Sequence, residues 1–499
     1  MKHSAKHTFT LCLLGSPVLQ GEVLEMTNFS YSEVSDSFDL TWKSKPGESF
    51  GIYFSQDLKN FTQVAPAVIP ANASGLKTSL TNFVNPFPDA QNVWVKIGPA
   101  DLVNPTIKRI WTGGADLHLI FSEQINESLS TNPENYTITD GNGDSVPLAS
   151  AAYGLSNTEI VLTPASPLAP DQIYTVTTNR LTDLPGRALA GSNTATTKTF
   201  DRNPAGVKVF IIAGQSNMIG RGESEKGAGG VEGAIGSLRY LVNTDPDNYG
   251  HLVDINGEWA PRPDVKIKWG SRKDDLKIGF GSTPGSQFGP ELGIGNVLGD
   301  HYDEPILLIK TAWNGKNLET DFRSPRAVVN RGGVTGFFYL EMMKQIRDAL
   351  DDFSSEFPAL AGQGYQIAGF GWHQGLGDIL NATNAQNHEA NLVDFIKSTR
   401  DEFGQPNLPF SIASTSHYRT PRYSGQFDVM DAQFAVAEST NYPEFAGTVI
   451  TTDTAPFYRP LAVSPANDWA HWNRNGETLY LIGKAIGDAL IEMLPENSE

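Results

Sequence analysis

The stretch Val207-Lys208-Val209-Phe210-Ile211-Ile212-Ala213-Gly214-Gln215-Ser216-Asn217-Met218 decides how the chain reads. Six of its first seven residues are apolar and β-branched side chains predominate, the pattern of a strand buried on both faces. The run breaks at Gly214 into a small polar cluster that carries one hydroxyl, Ser216. A serine just past the C-terminal end of a parallel strand lies where open α/β sheets hold their ligands. Serine is also common in turns, so this stretch alone fits a catalytic residue and an ordinary turn.

Downstream, apolar strands alternate with helical patterns. Further strands are expected at 306–310, 367–370, 409–412 and 448–450. Between and after them, three helical faces show: Leu340, Met343, Ile346 and Leu350; Leu392, Phe395, Ile396 and Phe403; and Leu479, Ile482, Ala485, Ile486 and Leu490. This alternation predicts an α/β domain over residues 205–497, with a parallel sheet covered by helices on both faces.

Upstream the rhythm is all-β. Ser37-Phe38-Asp39-Leu40-Thr41-Trp42 alternates with period two, a turn follows at Lys45-Pro46-Gly47-Glu48, and the strand pattern resumes at Phe50. A small sandwich is expected over 25–100. A second, over 104–202, carries Leu117-His118-Leu119-Ile120-Phe121, Asn135-Tyr136-Thr137-Ile138, Ile160-Val161-Leu162 and Tyr174-Thr175-Val176. Residues 201–206 read as the linker.

The chain has 499 residues, more than one domain requires, and a formal net charge of -19. Such acidity argues against a nucleic-acid partner. Cys12 is the single cysteine, which excludes an intrachain disulfide framework and a zinc site of several cysteines. Residues 1–22 read as a signal peptide with a basic start, an apolar middle broken by Gly15, Ser16 and Pro17, and a poor cleavage site. A secreted, periplasmic or cell-surface location follows. No later run is long enough to span a membrane. Neither a His-x-x-x-His metal spacing nor a Gly-rich phosphate loop occurs, so no metal and no cofactor is expected.

A nucleophilic serine needs a base, and the base an orienting acid. His471 is the candidate base. It lies in Asn467-Asp468-Trp469-Ala470-His471-Trp472-Asn473, ahead of the last helical pattern, with Asp468 three residues before it. By itself an Asp-x-x-His pair is common, and a surface or helix-capping histidine explains it equally well.

Taken together, Gly214-Gln215-Ser216-Asn217-Met218 and Asp468-x-x-His471 resemble the SGNH/GDSL hydrolase superfamily, and more closely its sialate O-acetylesterase-like family. Further segments agree in order: Gly289-Pro290-Glu291-Leu292-Gly293; Ile309-Lys310-Thr311-Ala312-Trp313-Asn314-Gly315-Lys316-Asn317-Leu318; Trp372-His373-Gln374-Gly375; and Asp453-Thr454 followed by Ser464-Pro465. The resemblance implies a flavodoxin-like SGNH fold behind the two β modules. Phe121-Ser122-Glu123, Asn135 to Ile138 and Leu181 to Leu189 resemble the Ig-like module found beside bacterial surface enzymes.

The family likeness implies roles. Ser216 attacks an ester carbonyl, and His471 takes its proton and returns it to the leaving sugar hydroxyl. An oxyanion hole would come from the backbone N–H groups of Ser216 and Gly315 and the side-chain amide of Gln374. Many relatives continue the Trp-x-Gln-Gly segment with Glu, but Leu376 stands there and Asp378 follows. The acid is therefore Asp468 or Asp378. The spacing favours Asp468, with Asp378 as a loop brace. Asn217, His373 and Arg221 are candidates for meeting the substrate, an acetylated carbohydrate. Arg323, Arg459, Trp313 and Trp372 carry weaker signals. Two other readings stand beside this one: a non-catalytic carbohydrate-binding or surface protein on an esterase-like fold, and an esterase for other acyl groups.

Overall fold

The computed structural model describes all residues except 1–7, 12–25, 33–34, 36, 45–48, 56–61, 72–76, 85–91, 100–102, 114, 157, 226–232, 416–424 and 495–499. Of the expected signal peptide only Thr8–Leu11 is described, as a strand pairing in parallel with Asn92–Pro99. The rest of it, with Cys12, lies outside the described residues.

The chain falls into two compact units. Met1–Trp111, Asp116–Pro167 and Ile173–Thr197 make the first. Its strands form a three-stranded and three four-stranded sheets. Alternation drives them. In Ser37–Lys43, Phe38, Leu40 and Trp42 are fully buried and pack with Phe50, Ile52 and Phe54. In the part after residue 103, Leu117, Leu119, Ile160 and Leu162 are buried in the same way.

The second unit, chiefly Lys198–Glu499, is built on a seven-stranded sheet. Its strands are β1 (Val207–Gly214), β2 (Arg262–Trp269), β3 (Arg272–Leu276), β4 (Ile306–Ala312), β5 (Tyr365–His373), β6 (Phe410–Ala413) and β7 (Val449–Thr452). They lie in the order β3-β2-β4-β1-β5-β6-β7. Only the edge strand β3 runs antiparallel to its neighbour. The helices that matter here are α1 (Ser216–Ile219), α2 (Glu291–His301), α3 (Phe337–Leu350), α4 (Ala382–Phe403), α5 (Gln426–Ala437) and α6 (Gly476–Met493).

β1 is buried along its whole length, and its pleat sorts its side chains. Val209 and Ile211 enter one core with Met342, Met343 and Ile346 of α3 and Leu392 and Phe395 of α4. Phe210 and Ile212 enter the other with Leu292 and Ile294 of α2 and Ile482 and Ile486 of α6. The unit is thus a three-layer α/β sandwich. One expected face is corrected: Leu340 is 40% exposed, and Tyr339 and Met342 take the buried side of α3 instead.

Topology places the site. After β1 the chain leaves toward β2, and after β5 it leaves toward β6, on the opposite side. The loops therefore diverge at the C-terminal ends of β1 and β5, opening the crevice in which such sheets bind ligands.

Candidate active site

β1 ends at Gly214, whose φ is +153°, and a Cβ there would overlap the carbonyl of His373 on β5. Glycine is required because the two strand ends approach each other backbone to backbone. The chain then turns into the one-turn helix α1, whose first residue is Ser216. The side chain of Gln215 points into the protein, where its Oε1 accepts the N–H groups of Gly375 (3.2 Å) and Gly377 (2.9 Å).

His471 reaches this serine from the loop before α6. Its Nδ1–H donates to Asp468 Oδ1 at 2.7 Å, which leaves Nε2 to accept from the Ser216 hydroxyl at 3.1 Å. The hydrogen bond from His471, followed by that from Arg474, holds the Asp468 carboxyl well below the usual carboxylate range. Arg474 Nε donates to Asp468 Oδ2 at 3.0 Å and Arg221 Nη1 lies 3.6 Å from the same oxygen. The backbone here is strained. Trp472, Asn473 and Arg474 have φ of +56°, +53° and +57°, a left-handed turn without glycine. It is held by Trp472, which is fully buried, and by Asn473, whose Nδ2 donates to Tyr458 Oη and the Arg459 carbonyl, both at 3.1 Å.

Asp378 does not meet His471. It is wholly buried and accepts from the backbone N–H of Leu318 (3.0 Å) and from Gln374 Nε2 (2.6 Å). It therefore ties the segment after β5 to the segment after β4. The latter carries Gly315, exposed, at φ +68°. The backbone N–H groups of Ser216 and Gly315 have no protein acceptor among the described residues. Gln374 differs from expectation. Its amide donates to the Lys316 carbonyl (3.0 Å) and to Asp378, so both its protons are committed inside the protein. It shapes the loop rather than offering a donor to the crevice.

Residues 206–446 match the family model described as carbohydrate esterase, sialic acid-specific acetylesterase. Over that stretch the chain is similar to this carbohydrate-esterase family. Residues 103–201 match the model of a bacterial Ig-like domain. A comparison with curated proteins returns no match. Among solved structures the chain is remotely similar to a protein from Arabidopsis thaliana, at 18% identity and a TM-score of 0.37 over 57% of this chain and 97% of that one. A carbohydrate acetylesterase from Xanthomonas citri matches at 10% identity and a TM-score of 0.32, covering 91% of this chain and 72% of its own. A family two carbohydrate esterase from Cellvibrio japonicus matches at 8% and 0.27, covering 94% and 96%.

Three residues of this domain, expected to meet substrate, are placed otherwise. Asn217 is buried and donates through Nδ2 to the Ala470 carbonyl at 3.2 Å, joining the serine turn to the histidine loop. His373 is 0% exposed and its Nδ1 donates to the Ala413 carbonyl at 3.0 Å. Burial brings its pKa down to about 4, so the ring is neutral. Arg221 turns toward Asp468. Of the weaker candidates, Trp372 is fully buried in the core, and Arg459 and Arg323 pair with Glu477 and Glu319.

One pair was missed as functional. Lys310 and Glu291 form a fully buried ion pair at 2.6 Å. Lys310 Nζ also donates to the carbonyls of Ile219 and Phe280, both at 2.8 Å, while Glu291 Oε1 accepts the Gly289 N–H at 2.7 Å. The pair caps the last residue of α1 and so fixes the short helix that presents Ser216. A lysine inside the apolar run 306–312 was the available signal, because a charge there demands a buried partner.

Proposed function

We propose that this chain is a serine esterase that removes O-acetyl groups from a carbohydrate. The observation that carries the reading is the unbroken relay from Asp468 to His471 to Ser216, with contacts of 2.7 and 3.1 Å, at the divergence of β1 and β5. Ser216 Oγ attacks the ester carbonyl carbon as its proton passes to His471 Nε2. The carbonyl oxygen becomes an oxyanion, received by the free N–H groups of Ser216 and Gly315, each such donor being worth about 3 kcal/mol. Collapse expels the sugar oxygen, which takes the proton from His471. Water then attacks the acetyl-serine with His471 again as base, releasing acetate and restoring the hydroxyl. Asp468 keeps the imidazole proton on Nδ1 and stabilises the imidazolium.

The rest of the chain fits a secreted or surface enzyme: residues 1–22 as leader, 25–100 and 104–202 as separate β modules, and 205–497 as the catalytic domain. Support comes from the family match of the esterase and Ig-like regions. Among the described residues no helix is long and apolar enough to cross a membrane. The test is acetate release from a panel of acetylated polysaccharides, beside hydrolysis of nitrophenyl acetate. Ser216→Ala should abolish both. A wild-type protein inert on every ester, or a variant as active as wild type, overturns the reading. Nitrophenyl esters of longer acyl chains test acetyl preference.

A further inference from the structure

One opening in the second unit stands apart from the proposed catalytic crevice. A cavity of about 690 Å³ lies between the outer sides of α2 and α6 and the segment 245–264. Neither Ser216, Asp468, His471, Gly315 nor Gln374 lines it. Its size falls in the range of small-molecule sites, roughly 300–1,000 Å³.

The lining specifies a chemistry. Tyr249, Trp259 and Tyr480 supply aromatic surface, with Tyr249 and Tyr480 edge to face at 5.6 Å. The indole N–H of Trp259 is buried with no hydrogen-bond partner among the described residues. Acceptors dominate the polar groups: the carboxylates of Asp245, Asp264, Asp300 and Glu477. The cations among them are occupied. Arg262 pairs with Asp264 and Asp300, both at 2.6 Å, and donates to the Asn296 carbonyl at 3.1 Å. Lys484 pairs with Asp488 at 3.1 Å. A carboxylate has about four lone-pair sites, so each keeps acceptor capacity after one ion pair. An anionic ligand finds four carboxylates here against two cations, Arg262 and Lys484, each already paired. A ligand with an apolar face and several hydroxyl donors finds acceptors to bond beside the half-buried Trp259, over whose ring Arg239 lies at 4.3 Å.

We propose that this cavity is a non-catalytic binding site for a neutral pyranose unit of a glycan. Its role, holding a polymer while Ser216 works on another residue of it, rests on the esterase reading; the binding itself does not. Asp300 stands at the rim with a side chain 72% exposed, and Trp259 lies deeper.

The experiment titrates the full-length Ser216→Ala chain with unacetylated xylotriose, with chitotriose and with glucuronic acid, read by isothermal titration and intrinsic fluorescence. A neutral trisaccharide should bind at about millimolar Kd or tighter, and glucuronic acid at least about tenfold more weakly. Trp259→Ala should weaken the neutral sugar about tenfold, while in the Ser216-containing chain it leaves nitrophenyl acetate hydrolysis unchanged. If Trp259→Ala misfolds, Asp300→Lys, at an exposed position, should weaken binding severalfold. Three results overturn the proposal: no neutral sugar binding, binding untouched by these variants (which places it elsewhere on the chain), or glucuronic acid binding as well as the neutral sugars. Wild-type hydrolysis of nitrophenyl acetate checks the esterase reading separately, since that substrate carries no sugar.

Discussion

Replacing Asp468 by Asn tests the relay through its tautomer. In the native site Oδ1 accepts from His471 Nδ1 at 2.7 Å, while Oδ2 accepts from Arg474 Nε at 3.0 Å and faces Arg221 at 3.6 Å. An asparagine has one oxygen for these two duties. The guanidinium groups hold it on their side, so the NH₂ faces His471 Nδ1. That nitrogen must then become the acceptor, which moves the ring proton to Nε2, opposite the Ser216 hydroxyl. The base is lost. Restoring the working tautomer means turning an N–H against Arg474 and giving up a charge-assisted bond, about 1.5–3 kcal/mol. Losing the carboxylate's bond to the imidazolium costs about as much again. Together these predict a fall in kcat of about 10²- to 10⁴-fold for Asp468→Asn. Asp468→Ala suffers the second loss but not the tautomer penalty, so its fall should be about 10- to 100-fold. The assay is nitrophenyl acetate hydrolysis at saturating substrate, with circular dichroism to confirm folding. Asn at or above Ala refutes the tautomer argument. Near-full activity of Ala refutes Asp468 as the acid.

Lys310→Met leaves Glu291 charged and alone in the core and should lower stability by about 3–5 kcal/mol; Lys310→Met/Glu291→Gln should recover much of it, read as Tm. Asp378→Ala strands the Leu318 N–H and one Gln374 N–H, and should cost about 2–4 kcal/mol and lower kcat through the Gly315 loop; unchanged kcat would detach that loop from oxyanion binding. His373 has a pKa lowered from 6.5 to about 4, so the unfolded chain binds the extra proton between these values. Its contribution to stability is therefore complete above about pH 6.5, is lost as pH falls, and levels off near pH 4 after about 3 kcal/mol. In His373→Asn, which keeps a donor for the Ala413 carbonyl, urea midpoints should fall less steeply over that window.

Much of this was legible because burial writes itself into composition. β1, β4, β5, β6 and β7 all coincide with apolar runs, and the faces marked by Phe395 and Ile482 are buried as their spacing requires. The β2–β3 hairpin was not expected, because Arg262-Pro263-Asp264-Val265-Lys266-Ile267-Lys268-Trp269 carries the charges of a strand near a sheet edge. Nor was α2 expected: Glu291-Leu292-Gly293-Ile294-Gly295 is poor in helix formers. Its glycines serve packing, since a Cβ on Gly293 would overlap the Tyr480 carbonyl of α6, and one on Gly483 the Pro290 carbonyl. Of the site, only the contact between Asp468 and His471 follows from local spacing; the expectation that they meet Ser216, 255 residues away, came from the family resemblance. Gln374, His373 and Asn217 could not be assigned correctly, because burial and a hydrogen-bond partner depend on segments distant in the chain.

That distance explains why so much buried polarity surrounds Ser216 and His471. Ser216, Gly315 and His471 lie on separate segments that share no local structure, so their alignment must come from contacts between loops. Gln215 binds the serine turn to 375–377, Asp378 binds that segment to 318, and Asn217 binds the serine turn to Ala470. Each uses a side chain to satisfy backbone groups of another segment. The left-handed turn at Trp472 to Arg474 belongs to the same logic. It costs about 1–2 kcal/mol per residue. Burying an aromatic side chain such as Trp472 returns about 2–3 kcal/mol, and the two bonds of Asn473 about 1 kcal/mol each. The turn is thus close to neutral in stability, yet only one arrangement of the loop collects those gains. In the proposed reaction, His471 is thereby held in place before substrate arrives, and its imidazole need not be ordered during the chemistry.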